Sequence, residues 1–265
     1  MSVVTLLTDY GHDDDFVGVC HGVIARIAPD VRVIDITHGV HRHDIRGGAV
    51  VLRRALAFMP AGVHVAVVDP GVGGARRAVA LRCGEPGQIL VGPDNGLLAP
   101  AAERLGGVTD AIDIGRSPMR LEPVSRTFHG RDIFAPVAAH LAAGASWADA
   151  GEPVDPGTLA TLDLPRPCAD GATVVAHVVS ADRFGNLALD AGRDDLVSAG
   201  LKLGSAVTVN GRRASYATTF SVVGEGELVL YEDAFGTLAL AVNRGSALGT
   251  LGLALDAEVA LAPAP

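Results

Sequence analysis

The sequence predicts an α/β protein: an N-terminal domain on a mostly parallel sheet with helices on both faces, followed by a smaller all-β domain. Short apolar runs that end in polar loops alternate with helix-spaced segments over the first 140 or so residues. Prolines 153, 156, 165 and 167 then mark a linker. Beyond them the runs are short, strand-like and separated by glycine turns. The boundaries follow: 1–152 for the α/β domain, 153–170 for the linker and 171–265 for the β-rich domain.

Each element has its own signal. Val3 to Leu7 is an apolar run ending at Thr8-Asp9-Tyr10-Gly11, a buried strand with a polar loop at its carboxyl end. Phe16 to Ala28 carries Val19, Val23 and Ile27 at helical spacing, and Pro29 stops it. Val31 to Ile36 is the second strand, and Asp44 caps a helix that runs to Phe58. Val63 to Val68 is the third strand, followed by strands at Ile89–Val91 and Asp110–Ile114 and a helix from Asp132 to Ala143. The second domain holds strands at Thr173–Ser180, Leu187–Leu189, Ala206–Asn210, Leu228–Tyr231 and Thr237–Val242. Asn210-Gly211 is a hairpin signal.

Composition narrows the function. The chain has 265 residues, 49% hydrophobic and 19% charged, with a net charge of −9. An acidic chain lacks the basic face that a nucleic-acid module needs. Its mean hydropathy of +0.34 comes from scattered short runs. No unbroken apolar stretch of about 18 residues supports a membrane helix. The three cysteines, Cys20, Cys83 and Cys168, are far apart and form no CxxC, so neither a disulfide framework nor a cysteine zinc site is expected. The amino terminus has no signal-peptide pattern, and the expected setting is the cytoplasm.

In an open α/β sheet, ligands bind at the carboxyl ends of the strands. Three such ends are polar here: Thr8-Asp9, Asp69-Pro70-Gly71 and Pro93-Asp94-Asn95-Gly96. Aspartate is also common in such loops as a cap or turn former, but three together point to a site. Gly71-Val72-Gly73-Gly74 fits neither phosphate-loop pattern, since Arg76 stands where GxGxxG ends in glycine. His12 and Asp13–Asp15, with His38, His41, His43 and Asp44, offer metal-ligand chemistry but no HExxH spacing, and no metal is assigned. There is no GxSxG elbow. Arg76 lies seven residues after Asp69, and His129 sits in Arg126-Thr127-Phe128-His129-Gly130-Arg131-Asp132 before a helix. Aspartate, arginine and histidine together can hold and deprotonate a water, although each alone also suits a structural role.

Six motifs then occur in one order: Leu7-Thr8-Asp9-Tyr10-Gly11, Asp35-Ile36-Thr37-His38, Val68-Asp69-Pro70-Gly71-Val72-Gly73, Pro93-Asp94-Asn95-Gly96-Leu97-Leu98, Thr127-Phe128-His129-Gly130-Arg131-Asp132 and Phe184-Gly185-Asn186. With these the chain resembles the S-adenosyl-L-methionine (SAM) hydroxide adenosyltransferases, relatives of the SAM-dependent fluorinase and chlorinase. The resemblance implies hydrolysis of SAM to adenosine and L-methionine, with SAM as substrate and no cofactor or metal. It implies a homotrimer with SAM between one subunit's N-terminal domain and its neighbour's C-terminal domain, and no nucleic-acid or membrane partner. It places catalysis on Asp69, Arg76 and His129 and the ribose hydroxyls on Asp9. It places Phe128 in the pocket wall and Asp182 and Asn186 at the methionine end and adenine edge, with Phe184 between them also substrate-binding. Phe220 falls near the adenine-stacking aromatic and Asn243 in the C-terminal part of the pocket. The halogenases lack the acid and the histidine at the positions of Asp69 and His129, and the fluorinase has serine at the position of Gly130. His43 stands where the family usually has an aromatic. The alternatives are a SAM halogenase and a SAM- or adenosine-binding module with little turnover. Sequence leaves open which of Asp69 and His129 takes the proton.

Overall fold

The structure, a computed structural model, describes residues 3–84 and 87–265. The chain divides into two compact units, Met1–Leu162 and Asp163–Pro265.

In the N-terminal unit the strands are β1 (Val3–Thr8), β2 (Arg32–Thr37), β3 (Gly62–Val67), β4 (Ala78–Cys83), β5 (Gln88–Pro93), β6 (Val108–Asp113) and β7 (Glu152–Pro153). They form one sheet in the order β2-β1-β3-β5-β4-β6-β7. Pairings β1–β2, β1–β3 and β3–β5 are parallel, whereas β4–β5, β4–β6 and β6–β7 are antiparallel. The expectation of a mostly parallel sheet is therefore corrected to a mixed one. The cause is β4, which the sequence reading passes over. Its Ala-Val-Ala-Leu-Arg-Cys run is buried at every position but Arg82, so it lacks the alternation that marks a strand from sequence. It runs antiparallel to both of its neighbours, β5 and β6, and β7 is likewise antiparallel to β6.

Helices cover both faces. On one face α1 (Phe16–Ile27) and α4 (Ala135–Ala142) pack Cys20, Val23, Ile24, Val137 and Ala138 against Val4, Leu6 and Val65. On the other, α2 (Ile45–Ala55) and α3 (Ala99–Arg104) pack Ala49, Leu52, Ala101 and Ala102 against Leu7, Ala66 and Leu90. The Asp44 side chain accepts the Gly47 N–H at 2.8 Å and caps α2 as expected. Val154, Leu159 and Leu162, within the proline-rich stretch, pack onto this second face.

The second unit contains β8 (Cys168–Asp170), β9 (Thr173–Ala181), β10 (Leu187–Leu189), β11 (Ala206–Val209), β12 (Arg212–Tyr216), β13 (Leu228–Glu232), β14 (Leu238–Val242) and β15 (Glu258–Pro263). Their order is β10-β14-β13-β12-β11-β15-β9-β8, and β10 also pairs with β9. That extra pairing closes β9 to β10 in a barrel, with β8 left paired on one side only, against β9. The barrel encloses Val174, Leu187, Leu189, Val207, Leu230 and Leu240. Asn210 and Gly211 both have positive φ (50° and 79°) in the tight turn joining β11 to β12, the backbone that an Asn-Gly hairpin supplies. Among the described residues no helix is long and apolar enough to cross a membrane.

Candidate active site

β1 and β3 lie side by side and parallel, with Thr8 opposite Val67. Asp9 and Asp69 therefore emerge at the same edge of the sheet, where an α/β fold places ligands. The Asp69 side chain is 5% exposed and that of Arg76 is 11% exposed. Arg76 Nε donates to Asp69 Oδ1 at 3.0 Å and Oδ2 at 3.1 Å, and Arg76 Nη2 also donates to Oδ2. The same Nη2 donates to His129 Nδ1 at 3.0 Å. The three residues expected to be catalytic are thus one bonded set, with Arg76 in the middle and its guanidinium 5.3 Å from the Phe134 ring centroid.

Local backbone explains the meeting. Val72 N–H bonds to Asp69 O and Gly74 N–H to Gly71 O, so the chain turns back tightly after β3. Gly73 has φ of +74°, and a Cβ there would collide with the Arg126 carbonyl. Only glycine lets this loop lie against the segment that carries His129. That segment is pinned by Asp132, which is 1% exposed. Its Oδ2 accepts the Ser125 N–H at 2.8 Å, and its oxygens accept Arg131 Nε and Nη2 at 2.6 and 3.0 Å. Burial opposes the Asp132 charge, but Arg131 and Ser125 outweigh it and hold the carboxyl below the usual range. A π-helical turn, Gly130–Phe134, follows His129 directly. Such turns are frequent at functional sites.

Burial, and then the Arg76 guanidinium, pushes the His129 imidazole below its ordinary value. Arginine can only donate, so Nδ1 must offer its lone pair. The neutral ring then carries its proton on Nε2.

Tyr10 is the residue that the sequence reading quotes in a motif and gives no role. Burial is the main cause of its raised pKa, and Cys20, Asp9 and Asp69 add to it against Arg76. The phenol therefore stays protonated beside both acidic loops. Its ring meets Phe16 at 5.7 Å and Phe128 at 5.8 Å, and Phe16 meets Phe128 at 5.0 Å. Phe128 is thus held in an aromatic cluster one residue before His129. The available signal was position: Tyr10 follows Asp9 at a strand end.

Asp9 Oδ2 accepts the His43 backbone N–H at 3.0 Å, and His43 has a left-handed φ of 65°. The loop at Asp94 is used structurally. Asp94 pairs with Arg77 and accepts the Ala160 N–H, and the Asn95 amide donates to the Val68 carbonyl. Of the polar strand ends, this one builds the fold.

The remaining residues lie in the second unit. Asp182 Oδ1 accepts the N–H groups of Phe184 and Asn186 at 2.8 and 2.9 Å, and Asn186 Nδ2 donates to Asp182 Oδ2 at 2.8 Å. This closed turn presents Phe184, which is 69% exposed. Phe220, 46% exposed, stands edge-on to Tyr231 at 5.9 Å. Asn243 Nδ2 donates to the Val223 carbonyl at 2.7 Å.

The histidine- and acid-rich loops give a different cluster from the one the sequence offers. His38 meets His21 and Asp35, while Asp44 is occupied as the helix cap.

Comparison with known proteins agrees with this architecture. Residues 4–151 match the SAM hydroxide adenosyltransferase N-terminal domain and residues 176–260 match its C-terminal domain. The chain is 50% identical over 252 residues to an (R)-S-adenosyl-L-methionine hydrolase of Salinispora tropica, covering 94% of each. A fluorinase of an Actinoplanes species is 28% identical over 274 residues, covering 91% of each. The crystal structure of an uncharacterized conserved protein from Thermotoga maritima superposes with a TM-score of 0.90 at 35% identity, covering 98% of this chain and 99% of that one. Two domain matches in the expected order and half-identical sequence over nearly the whole length leave one placement: this chain belongs to the SAM hydroxide adenosyltransferase family.

Proposed function

We propose that the protein hydrolyses SAM to adenosine and L-methionine. The observation that carries the reading is the bonded set Asp69–Arg76–His129 at the carboxyl edge of the sheet, in a chain half-identical to a protein named for this reaction.

A water oxygen attacks ribose C5′ in line with the C5′–S bond. The C5′–S electron pair goes to sulfur, so methionine leaves as a neutral thioether and needs no general acid. One proton from the water must be taken up. Aiming one water in line at near-attack distance contributes up to about 7–11 kcal/mol in ideal cases. His129 Nδ1 is occupied by Arg76 and Nε2 carries the ring proton, so the imidazole is not the base in this arrangement. The carboxylate of Asp69 is the remaining acceptor. In this proposal it takes the water proton, while Arg76 stabilises the developing hydroxide. His129 Nδ1 accepts from the same Arg76 Nη2 that donates to Asp69, and so helps to fix the guanidinium.

Asp9 is proposed for the ribose hydroxyls and Phe128 for the pocket wall. In the second unit, Asp182, Phe184, Asn186, Phe220 and Asn243 are proposed for the methionine end and the adenine. Exposed Phe184 and Phe220 suit a stacking surface that a ligand covers. The homotrimer with sites at subunit contacts, the absence of any cofactor besides the substrate, and the cytoplasmic setting belong to the same proposal.

The test is purified protein with the R and S sulfonium epimers of SAM, each with and without chloride or fluoride. Chromatography gives the products and light scattering the mass. Equal adenosine and methionine, independent of halide, support the reading. A halide-dependent 5′-halo product makes it a halogenase, and bound but intact SAM makes it a binding module.

A further inference from the structure

His21 projects from α1, Asp35 lies on β2, and His38 follows the end of β2. One ligand atom from each lies within 4.8 Å of the others. Both imidazoles approach one carboxylate oxygen: His21 Nε2 lies 2.8 Å and His38 Nε2 3.1 Å from Asp35 Oδ1. The register of β1 on β2 slips here, since Leu6 faces Asp35 but Leu7 faces Thr37. A bulge of this kind re-aims side chains at a strand end.

His38 makes the cluster unusual. Its side chain is 1% exposed. Nδ1 pairs with Thr8 Oγ1 at 2.8 Å. That oxygen also accepts the Tyr10 N–H at 3.2 Å and has a second lone pair for Nδ1–H. Nε2 is buried and has no hydrogen-bond partner, because the nearby Asp35 oxygen lies off the line that a hydrogen bond requires. A buried nitrogen with no hydrogen-bond partner thus lies beside a carboxylate and a second imidazole. The other two side chains are each 37% exposed, so an ion reaches the cluster from solvent.

We propose that His21, Asp35 and His38 form a binding site for one divalent transition-metal ion, of which Zn2+ suits the donors best. Two imidazole nitrogens and one carboxylate oxygen, with a water in the fourth position, are a familiar zinc set. Bonds of about 2.0–2.2 Å in a tetrahedron put ligand atoms about 3.3 Å apart, so the observed spacings need only small side-chain adjustments. Thr8 supplies the supporting bond to the far nitrogen of His38 that metal-bound imidazoles usually have. The ion would tie α1 to the end of β2. It would also steady the loop carrying Asp9 and Tyr10, because the His38 carbonyl accepts the Gly11 N–H at 2.8 Å. The hydrolysis proposed above has no step that needs it.

The full-length chain, stripped with chelator, is dialysed against Zn2+ and separately against Co2+. One equivalent of zinc per chain, visible d–d absorption from bound cobalt and a raised melting temperature are expected. His21→Ala and Asp35→Asn should each weaken binding at least about tenfold and abolish the zinc-dependent rise in melting temperature. Thr8→Val should weaken binding about 10- to 100-fold. His41→Ala, at an exposed histidine outside the cluster, should bind as the parent does. No stoichiometric uptake by the parent, or unchanged uptake by folded His21→Ala, overturns the proposal. The melting curve without metal shows whether each variant is folded.

Discussion

Arg76 Nη2 donates to His129 Nδ1 across 3.0 Å, and that bond decides where the imidazole proton sits. Protonating Nδ1 would put two donors face to face. Burial, and secondly Arg76, accordingly hold His129 below its ordinary 6.5. The sign of the stability effect follows. As pH falls below 6.5 the unfolded chain takes up this proton first, so the stability present above 6.5 declines until the lower folded-state pKa is passed. His129 imidazole resonances followed by NMR should titrate below 6.5 in the parent and move upward in Arg76→Gln. A titration unchanged by Arg76→Gln would contradict the assigned contact.

If His129 acts by holding Arg76, an acceptor of similar placement should do much of its work. His129→Asn offers Oδ1 near the position of Nδ1, whereas His129→Leu offers nothing. A hydrogen bond to a charged group contributes about 1.5–3 kcal/mol, so the Asn variant should turn over SAM roughly tenfold or more faster than the Leu variant. KM should change little in either. Asp69→Asn, by contrast, removes the proposed base and should lower kcat by about 10²–10⁴-fold. Equal losses in His129→Asn and His129→Leu would return the imidazole to the role of base.

The Tyr10 hydroxyl fills the space into which a Cβ on Gly130 would project. Gly130→Ala should therefore destabilise the N-terminal unit by about 1–3 kcal/mol, the usual cost of overpacking. Tyr10→Phe removes the colliding oxygen and should restore a large part of that loss in Tyr10→Phe/Gly130→Ala. Denaturant melts of the four proteins measure the coupling. Additive losses would mean that the backbone moves to absorb the extra atom.

How far the sequence reaches is clear from particular residues. Asp44 as helix cap, Pro29 after α1 and Asn210-Gly211 as a hairpin turn are local signals with local causes, and all three hold. The antiparallel β4 has no such signal, because Val79, Ala80 and Leu81 are buried on both faces and show no period. The set Asp69–Arg76–His129 was legible through motif order, while its geometry was not. Arg76 and His129 are joined across 53 positions because Gly73 lets two loops touch, and no spacing rule contains that. Asp94 misled for the opposite reason: an acid at a strand end reads alike whether it faces a ligand or, as here, Arg77. His21 was missed because it lies on a helix, far in sequence from Asp35 and His38.

Asp182 separates a scaffold role from a contact role. Its carboxylate already accepts two backbone N–H groups and the Asn186 amide, so Asp182→Ala removes three bonds and should loosen the turn that presents Phe184. Asp182→Asn keeps an oxygen for the two backbone donors and loses only the Asn186 bond and the charge. The Asn variant should therefore melt close to the parent and the Ala variant lower. If the carboxylate also faces the cationic methionine end of SAM, the Asn variant should bind SAM more weakly by about 1.5–3 kcal/mol, roughly ten- to a hundredfold. Adenosine, which has no such group, should bind it as it binds the parent. Titration calorimetry with both ligands reads this difference directly. Parallel losses for SAM and adenosine in Asp182→Asn would confine Asp182 to shaping the loop and leave the methionine amine to another partner.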